Sequence, residues 1–545
     1  MSAQRSVQSR CCSIARLIRK LAFVHSPYRV IRLPVRLYIT GRLLTVRPSL
    51  PRYPVSPAAC TDFVYGTGES NRRATTVNLL PDNVLLEIFD FCRLNHTFYF
   101  LRVWKWHLLV HVCQRWRQLI FESPHRLNIQ ILCTHKTPVR KNLCIWPTLP
   151  IVVDCTYFGR GISPEGEDDV IAALEHPDRV CYIRLKVTRS ELENMVAPMQ
   201  VPFPVLTRLE IFSMSDDAPA LSPGFLGGSA PLLEEITLGE IPFPALPTLL
   251  LSTNHLVVLT LCEIPPTGYI SPEAMVVGLA ALTKLEFFTI KFQSADPLPD
   301  QIRLPPDTRT VLPALTSFTF QGACEYLEDL VGRIDSPRLD RIHINCLDRL
   351  FDAPVIQLAK FLDRSIGPKL TLLKHARVCF FNDYYFSFAI YHQTNHPSSD
   401  WQPAQAIISC EGIDRQFSNI TQSFHQLSAP LSNVVHLKLD VEPVGSRQIE
   451  GADGVEWLRL LRQFPVVQLL YVSQELAGHV SLALEDIGGD MAAEVLPSID
   501  LICLEGQPAS SVGKFIAARQ LSGRPVTVVD TKTEFNSRLE SSVGK

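Results

Sequence analysis

The 545-residue chain lacks the short motifs that announce enzyme chemistry. It has no Gly-x-x-x-x-Gly-Lys-Ser/Thr loop, no Gly-x-Gly-x-x-Gly turn and no Gly-x-Ser-x-Gly elbow, so a P-loop nucleotidase, a dinucleotide enzyme and an α/β-hydrolase have no support. His107, His111 and Cys113 stand close together, but no Glu follows the first His and no second cysteine pair lies at ligand spacing, so a metal site is not expected. The acidic runs Glu165-Gly-Glu-Asp-Asp169 and Ser215-Asp-Asp217 lie among Pro, Gly and Ser and read as solvated loops, not paired catalytic carboxylates. No cofactor is implied. No apolar run of about 18 residues occurs, so no membrane span is expected. Acidic residues are absent from residues 1–60, which hold 11 Lys+Arg; with a formal net charge of −2, the remainder carries −2 − 11 = −13. An acidic body of that kind argues against a general nucleic-acid binder. The 15 cysteines have no regular spacing and stand mostly inside apolar runs, the usage of a reduced cytoplasmic or nuclear protein.

What the chain does have is core. At 46% hydrophobic and 19% charged it can bury a large interior, with room for about two to four domains. Residues 1–75 stand apart as a basic arm. Arg16, Arg19 and Lys20 alternate with Ile14, Leu17, Ile18 and Leu21, a pattern open to three readings: an amphipathic targeting presequence, a disordered basic arm, or an upstream segment joined to the coding frame. Pro48, Pro51, Pro54 and Pro57 make residues 48–60 an extended linker.

Two amphipathic stretches follow. In Asn78–Cys92, Pro81 sits just inside a helix start, and Val84, Leu85, Ile88, Phe89 and Cys92 recur at three- and four-residue steps. In Leu108–Ile120, Leu108, Leu109, Val112, Cys113, Trp116 and Ile120 do the same. Neither helix can bury itself alone. The residues Leu80-Pro81, then Leu85 and Ile88-Phe89, then Val112-Cys113-x-x-Trp116-Arg117 resemble the F-box, the adaptor-docking motif of ubiquitin-ligase substrate receptors. The similarity is greatest to the F-box proteins of mushroom-forming fungi. Asn83 stands where that pattern often has Glu, and the bridge 93–107, with Trp104 and Trp106, is longer than the compact motif uses. Residues 122–155 continue the resemblance, with alternating Leu127, Ile129 and Ile131 and then Trp146-Pro-Thr-Leu-Pro.

From about residue 176 the chain repeats. An apolar residue, two variable residues, an apolar residue, one variable residue and an apolar residue recur as Val180/Ile183/Leu185, Leu206/Leu209/Ile211, Leu233/Ile236/Leu238 and Leu256/Leu259/Leu261. The series continues as Leu285/Phe288/Ile290, Leu315/Phe318/Phe320 and Leu339/Ile342/Ile344. It returns as Val434/Leu437/Leu439, Val467/Leu470/Val472 and Ile499/Ile502/Leu504. Proline often stands two residues before the first member, as at Pro204, Pro231, Pro313 and Pro465. Successive starts in the first seven lie 26, 27, 23, 29, 30 and 24 residues apart, in the leucine-rich-repeat range. The last two members alternate as a strand, and the segment between must cross back outside the sheet. Residues 273–282 and 355–363 read as such crossover helices. No unit closes its own core, so neighbours must bury one another. Asn is mostly missing at the ladder position, which marks the repeats as irregular. Residues 365–430 break the rhythm and read as a strand and a polar loop, either a binding loop or an insertion. Residues 512–529 read as helix, Gly-containing turn and strand, a cap for the open end. An ordinary α/β domain with similar strands is the alternative.

The expected fold is therefore α/β: a short helical box at 76–125, then an irregular leucine-rich-repeat-like solenoid of parallel strands at 126–530, with a basic arm at 1–75 and a tail at 531–545. The resemblance implies a non-catalytic substrate receptor of a Skp–cullin–F-box ubiquitin ligase. Leu80, Pro81, Val84, Leu85, Ile88, Phe89, Val112, Cys113 and Trp116 would meet the Skp-type adaptor and, through it, the cullin; the concave strand face would meet an unknown protein substrate. The competing readings are a leucine-rich-repeat interaction scaffold outside ubiquitination, and an enzyme on an α/β fold.

Overall fold

In a computed structural model, the structure describes residues 36–39, 42–45 and, between 80 and 531, all but 95–108, 111, 124–126, 128, 136–138, 146–147, 157–161, 216, 296–308, 348–355, 371–373, 381–384, 392–405, 412–430, 442–453 and 488–490. The bridge bearing Trp104, Trp106 and His107, the residue His111 and the tail 532–545 thus lie outside the described residues. So does most of the basic arm. The chain divides into two compact units, Met1–Leu79 and Leu80–Lys545. In the first, β1 (Arg36–Ile39) and β2 (Arg42–Thr45) pair antiparallel with Arg36 opposite Thr45, a pairing not expected within the basic arm.

The second unit opens with two helices, Asp82–Leu94 and Gln114–Glu122. Strands follow: β3 (Ile131–Cys133), β4 (Ile151–Thr156), β5 (Val180–Val187), β6 (Arg208–Ser213), β7 (Glu235–Gly239), β8 (Val258–Ile264), β9 (Phe287–Phe292), the short β10 (Thr310–Val311), β11 (Ser317–Gly322), the short β12 (Ile334–Asp335) and β13 (Arg341–Cys346). Then come β14 (His375–Phe380), β15 (Tyr385–Tyr391), β16 (Ala406–Glu411), β17 (His436–Val441), β18 (Leu469–Val472), β19 (Leu501–Leu504) and β20 (Thr527–Val529). Apart from the paired β10 and β12, the strands of this unit make one 16-stranded sheet, from β3 at one edge to β20 at the other.

The repeat triplets are the inner face of this sheet. Every side chain of the ten triplets is 3% exposed or less. Consecutive strands pair in register, so that Cys155, Leu185, Ile211, Leu238, Leu261, Ile290, Phe320 and Ile344 stand opposite one another in a single row. Phe288 and Phe318 stack within this face at 5.5 Å between centroids. Between parallel neighbours the chain crosses back through helices or 3-10 turns, the connection that parallel pairing needs. The helices expected at 273–282 and 355–363 form as Pro272–Leu279 and Ile356–Ser365. At the C-terminal edge, helix Gly513–Leu521, a turn through Gly523 (φ +73°) and β20 form as the sequence indicates.

An all-parallel solenoid is corrected at one place. β13 pairs with β16, not with β14; β15 runs antiparallel to both β16 and β14; and β14 then pairs in parallel with β17. Only residues 381–384 separate β14 from β15. A connection that short can make a hairpin but not a parallel crossover. The inward row survives the reversal, running Ile344, Ile408, Phe388, Val378, Leu439, Val472 and Leu504.

Carboxylates link successive repeats where an asparagine ladder is missing. Glu328, on helix Cys324–Arg333, accepts the backbone N–H groups of Gln357 and Leu358 at 2.8 Å each. It thereby caps the next helix, whose first-turn donors would otherwise be unsatisfied. Glu485 likewise accepts Lys514 N–H at 2.9 Å. Glu191 closes a capping box on its own helix and also accepts Ile162 N–H at 2.6 Å. Arg333, itself buried, joins Asp329 (2.6 Å) to Glu273 (3.0 Å) on the preceding crossover helix. Replacing Glu328 with Ala is expected to cost about 1 kcal/mol, the scale of a lost N-terminal cap. Hydrogen exchange should locate the effect: the Gln357 and Leu358 amides become faster, while amides of β6 and β7 keep their protection.

Candidate functional site

Two surfaces are candidates: the helical pair at the start of the second unit, and the sheet face opposite the crossover helices. In the pair, Pro81 O accepts the N–H groups of Val84 (3.0 Å) and Leu85 (3.1 Å), which starts the first helix. Phe89 and Trp116 meet edge to face at 4.7 Å, and Leu85, Leu86, Leu119 and Ile120 fill the space around them. Arg115 fastens the Leu80–Asp82 turn to the second helix. Its guanidinium donates to Leu80 O at 2.6 Å and to the Asp82 carboxylate at 2.5 and 3.1 Å. Arg117 donates to Val110 O at 3.0 Å. The spacing of apolar residues cannot reveal this clamp, because both its members are charged and partly exposed.

The nine residues singled out in the sequence divide into two groups. Leu85, Phe89 and Trp116 are at most 7% exposed and hold the two helices together. Pro81, Val84 (37%) and Val112 (41%) face outward, and Leu80, Ile88 and Cys113 are half-buried beside them. An outward apolar strip of this kind is available to a partner; the buried trio acts only by fixing its shape.

The sheet face opposite the helices is polar and changes character along the sheet. On β4–β7 charges are balanced. Glu210 accepts Tyr182 Oη at 2.6 Å and pairs with Arg184 at 3.0 Å, and Arg208 faces Glu235 at 3.5 Å. Burial, and then the bond to Glu210, push the Tyr182 phenol well above its ordinary range. In the middle, Thr237, Thr260, Thr289 and Thr319 stand in register on four neighbouring strands, followed by His343 on β13. Alongside them Asn345 donates to Gln321 Oε1 at 3.4 Å, and Ser409 donates to Asn345 Oδ1 at 3.2 Å. Beyond the reversed strand, Arg377 and Lys438 both reach Asp440, at 2.8 and 2.5 Å, and the Lys438 ammonium lies 5.4 Å from the Tyr471 ring centre. Tyr471 donates to Glu505. At the far end Leu469, Tyr471, Leu501, Cys503 and Val529 form one buried cluster. The accessible part of the face is its polar middle and N-terminal side.

Among the described residues no group of three or more His, Cys, Asp or Glu could hold a metal ion, and no helix is long and apolar enough to cross a membrane. Burial raises the thiols of Cys133 and Cys155 to about 12, which leaves them as inert packing groups.

No protein-family model matches the chain, and no curated protein matches it. Among solved structures, the leucine-rich repeat-containing protein LegL7 from Legionella pneumophila is similar over 73% of this chain and 99% of its own, at 12% identity and a TM-score of 0.24. That likeness is too distant to bear on fold or function; the strand order stands on its own.

One pair on the open face is set to respond to acid. His375 and His436 are register partners on β14 and β17, with Nδ1 atoms 3.1 Å apart. Burial, and then the charges of His375 and Lys374, hold His436 down at about 4. An unfolded imidazole titrates near 6.5. Between these values the unfolded chain binds a proton that the folded chain does not. The stability contributed here is therefore complete above pH 6.5 and lost as the pH falls toward 4. Urea titrations across that window should show the midpoint falling, and His436→Gln should flatten the decline. A profile unchanged by the substitution would assign the loss to other groups.

Proposed function

We propose that this chain is a protein-interaction scaffold that binds a polypeptide partner on the polar face of its sheet. The observation that carries this reading is the division of labour between the two faces. One face and the crossover helices bury the repeat triplets completely. The other spends its outward positions on Thr, Asn, Gln, Lys, Arg and His across neighbouring strands. A face of that width, with hydrogen-bonding groups already aligned, suits an extended partner better than a small molecule, which requires an enclosed pocket. The reading is non-catalytic. A photo-crosslinking residue placed at Thr289 or Thr319 should form partner adducts in cell extract, and one placed at the helix-face residue Val277 should not. Adducts confined to Val277 would reverse the assignment of faces.

A narrower reading adds an adaptor. The outward strip of Pro81, Val84 and Val112, with Leu80, Ile88 and Cys113 at its edge, supports docking of a Skp-type adaptor through the F-box-like helices. The chain would then serve as the substrate receptor of a Skp–cullin–F-box ubiquitin ligase, raising the effective concentration of a bound protein near the ubiquitin-charged enzyme. Co-purification with the adaptor should fall below detection when Leu80 and Pro81 are both replaced by Ala. It should fall in the same way in a Val84→Glu, Val112→Glu chain, in which the buried Phe89–Trp116 contact is left intact. An adaptor that never co-purifies with the unaltered chain would leave the scaffold reading without the ligase.

A further inference from the structure

The middle of the open face is unlike its flanks in one respect: among the described residues its positive charges form no ion pair. On β9, β11 and β13 the outward positions are held by Phe287, Thr289 and Lys291, by Ser317, Thr319 and Gln321, and by Arg341, His343 and Asn345. None of the nine is a carboxylate, whereas on β4–β7 Arg184 and Arg208 each pair with a Glu. Glu263, at the register shift in β8, makes no ion pair with Lys291 among the described residues. Arg341 and His343 are exposed and Lys291 is half-exposed. Desolvation among the strands, and then the Lys291 charge, hold His343 below the usual imidazole range.

We propose that the open face over β9, β11 and β13 binds an extended, carboxylate-rich protein segment, with Lys291 and Arg341 as its anchors. The register fixes the spacing. Gln321 is the partner of Lys291, and Ser317 is the partner of Arg341. The two anchors are therefore two strand spacings and four residues apart, about 10 Å by about 13 Å, or about 16 Å along the diagonal. In an extended chain the side chains at i and i+4 share a face and lie about 13 Å apart, and flexible Lys and Arg stems make up the remainder. Acidic residues at i and i+4 would meet the two anchors. The residue at i+2 would lie over Thr319, His343 and the Gln321 amide. A long polyanion such as nucleic acid is disfavoured, because the strip is narrow and the arginines beside it on β5 and β6 are already paired with Glu210 and Glu235, which leaves no continuous cationic track for its backbone.

This rests on the scaffold reading above, and its test separates the two. The probe is a fluorescent ten-residue peptide of alternating Glu and Ser, followed by anisotropy with the full chain at about 50 and about 150 mM NaCl. Saturable binding that weakens with salt is expected, with no binding of the alternating Gln-Ser analogue. The Lys291→Gln, Arg341→Gln double variant should bind at least about tenfold more weakly, with unchanged thermal unfolding since both side chains lie on the surface. Arg184→Gln, at a balanced site, should stay within about twofold. The proposal is overturned if the Glu-Ser peptide does not bind, if the double variant binds it equally well, if Arg184→Gln loses as much, or if decathymidylate binds as tightly. Should it be overturned while Thr289 still crosslinks to a partner, the scaffold reading survives and only the acidic class is wrong.

Discussion

From Cys155 on β4 to Leu504 on β19, one inward side chain per strand stands directly opposite the next. The period of a strand is two residues, so slipping any one pairing by a single position would turn its buried Leu, Ile or Phe outward and bring a Thr, Lys or Arg into the core. Burying an unpaired charge costs far more than any local rearrangement could recover. The row thus fixes the register of the whole sheet, and the register fixes what the opposite face displays. The threonines of β7, β8, β9 and β11 line up because the leucines and phenylalanines behind them do.

That dependence divides the open face into regions with different uses. Where outward Arg and Glu alternate between strands, charge is settled within the sheet, and such pairs add little net stability but leave no field for a ligand. Where the outward positions are Thr, Gln and Asn with unpaired Lys291 and Arg341, the field remains. Where they are Leu, Tyr, Cys and Val, on β18–β20, these side chains are buried in one cluster. The helical pair follows a similar logic on a smaller scale. Phe89 and Trp116 turn inward to make two short helices stable, and Arg115 fixes the turn. What is left outward is a narrow strip around Pro81, Val84 and Val112.

The repeat triplets were legible in the sequence because each is a local pattern of apolar spacing, and all ten lie on buried faces at their strands. The two crossover helices and the terminal helix–turn–strand were legible for the same reason. The pairing of β13 with β16 was not, since nothing local in Arg341–Cys346 distinguishes a neighbour 64 residues along (Cys346 stands opposite Cys410) from the next strand in order. The capping role of Glu328 was hidden because its partners are backbone amides of another repeat. In the helical pair, periodicity gave each stretch one apolar face and the F-box resemblance added Leu80 and Pro81, and neither could separate the three residues that pack inward from those that face solvent. Lys291, Arg341 and His343 passed as ordinary surface residues until the register set them on one stretch of the open face.

The reversed strand also sets a timetable for folding. Each earlier repeat can close against its predecessor as soon as it is complete, so β3 through β13 can assemble in the order in which they leave the ribosome. The edge of β13 then has no partner until the chain has been made through β14 and β15 and returns as Ala406–Glu411. During that interval a long parallel edge stands open, with unpaired backbone donors and acceptors of the kind that recruit other chains. A crowded nascent chain is therefore most exposed to mispairing late in synthesis, at one defined strand, and the hairpin that brings β16 back acts as the clasp that ends the risk.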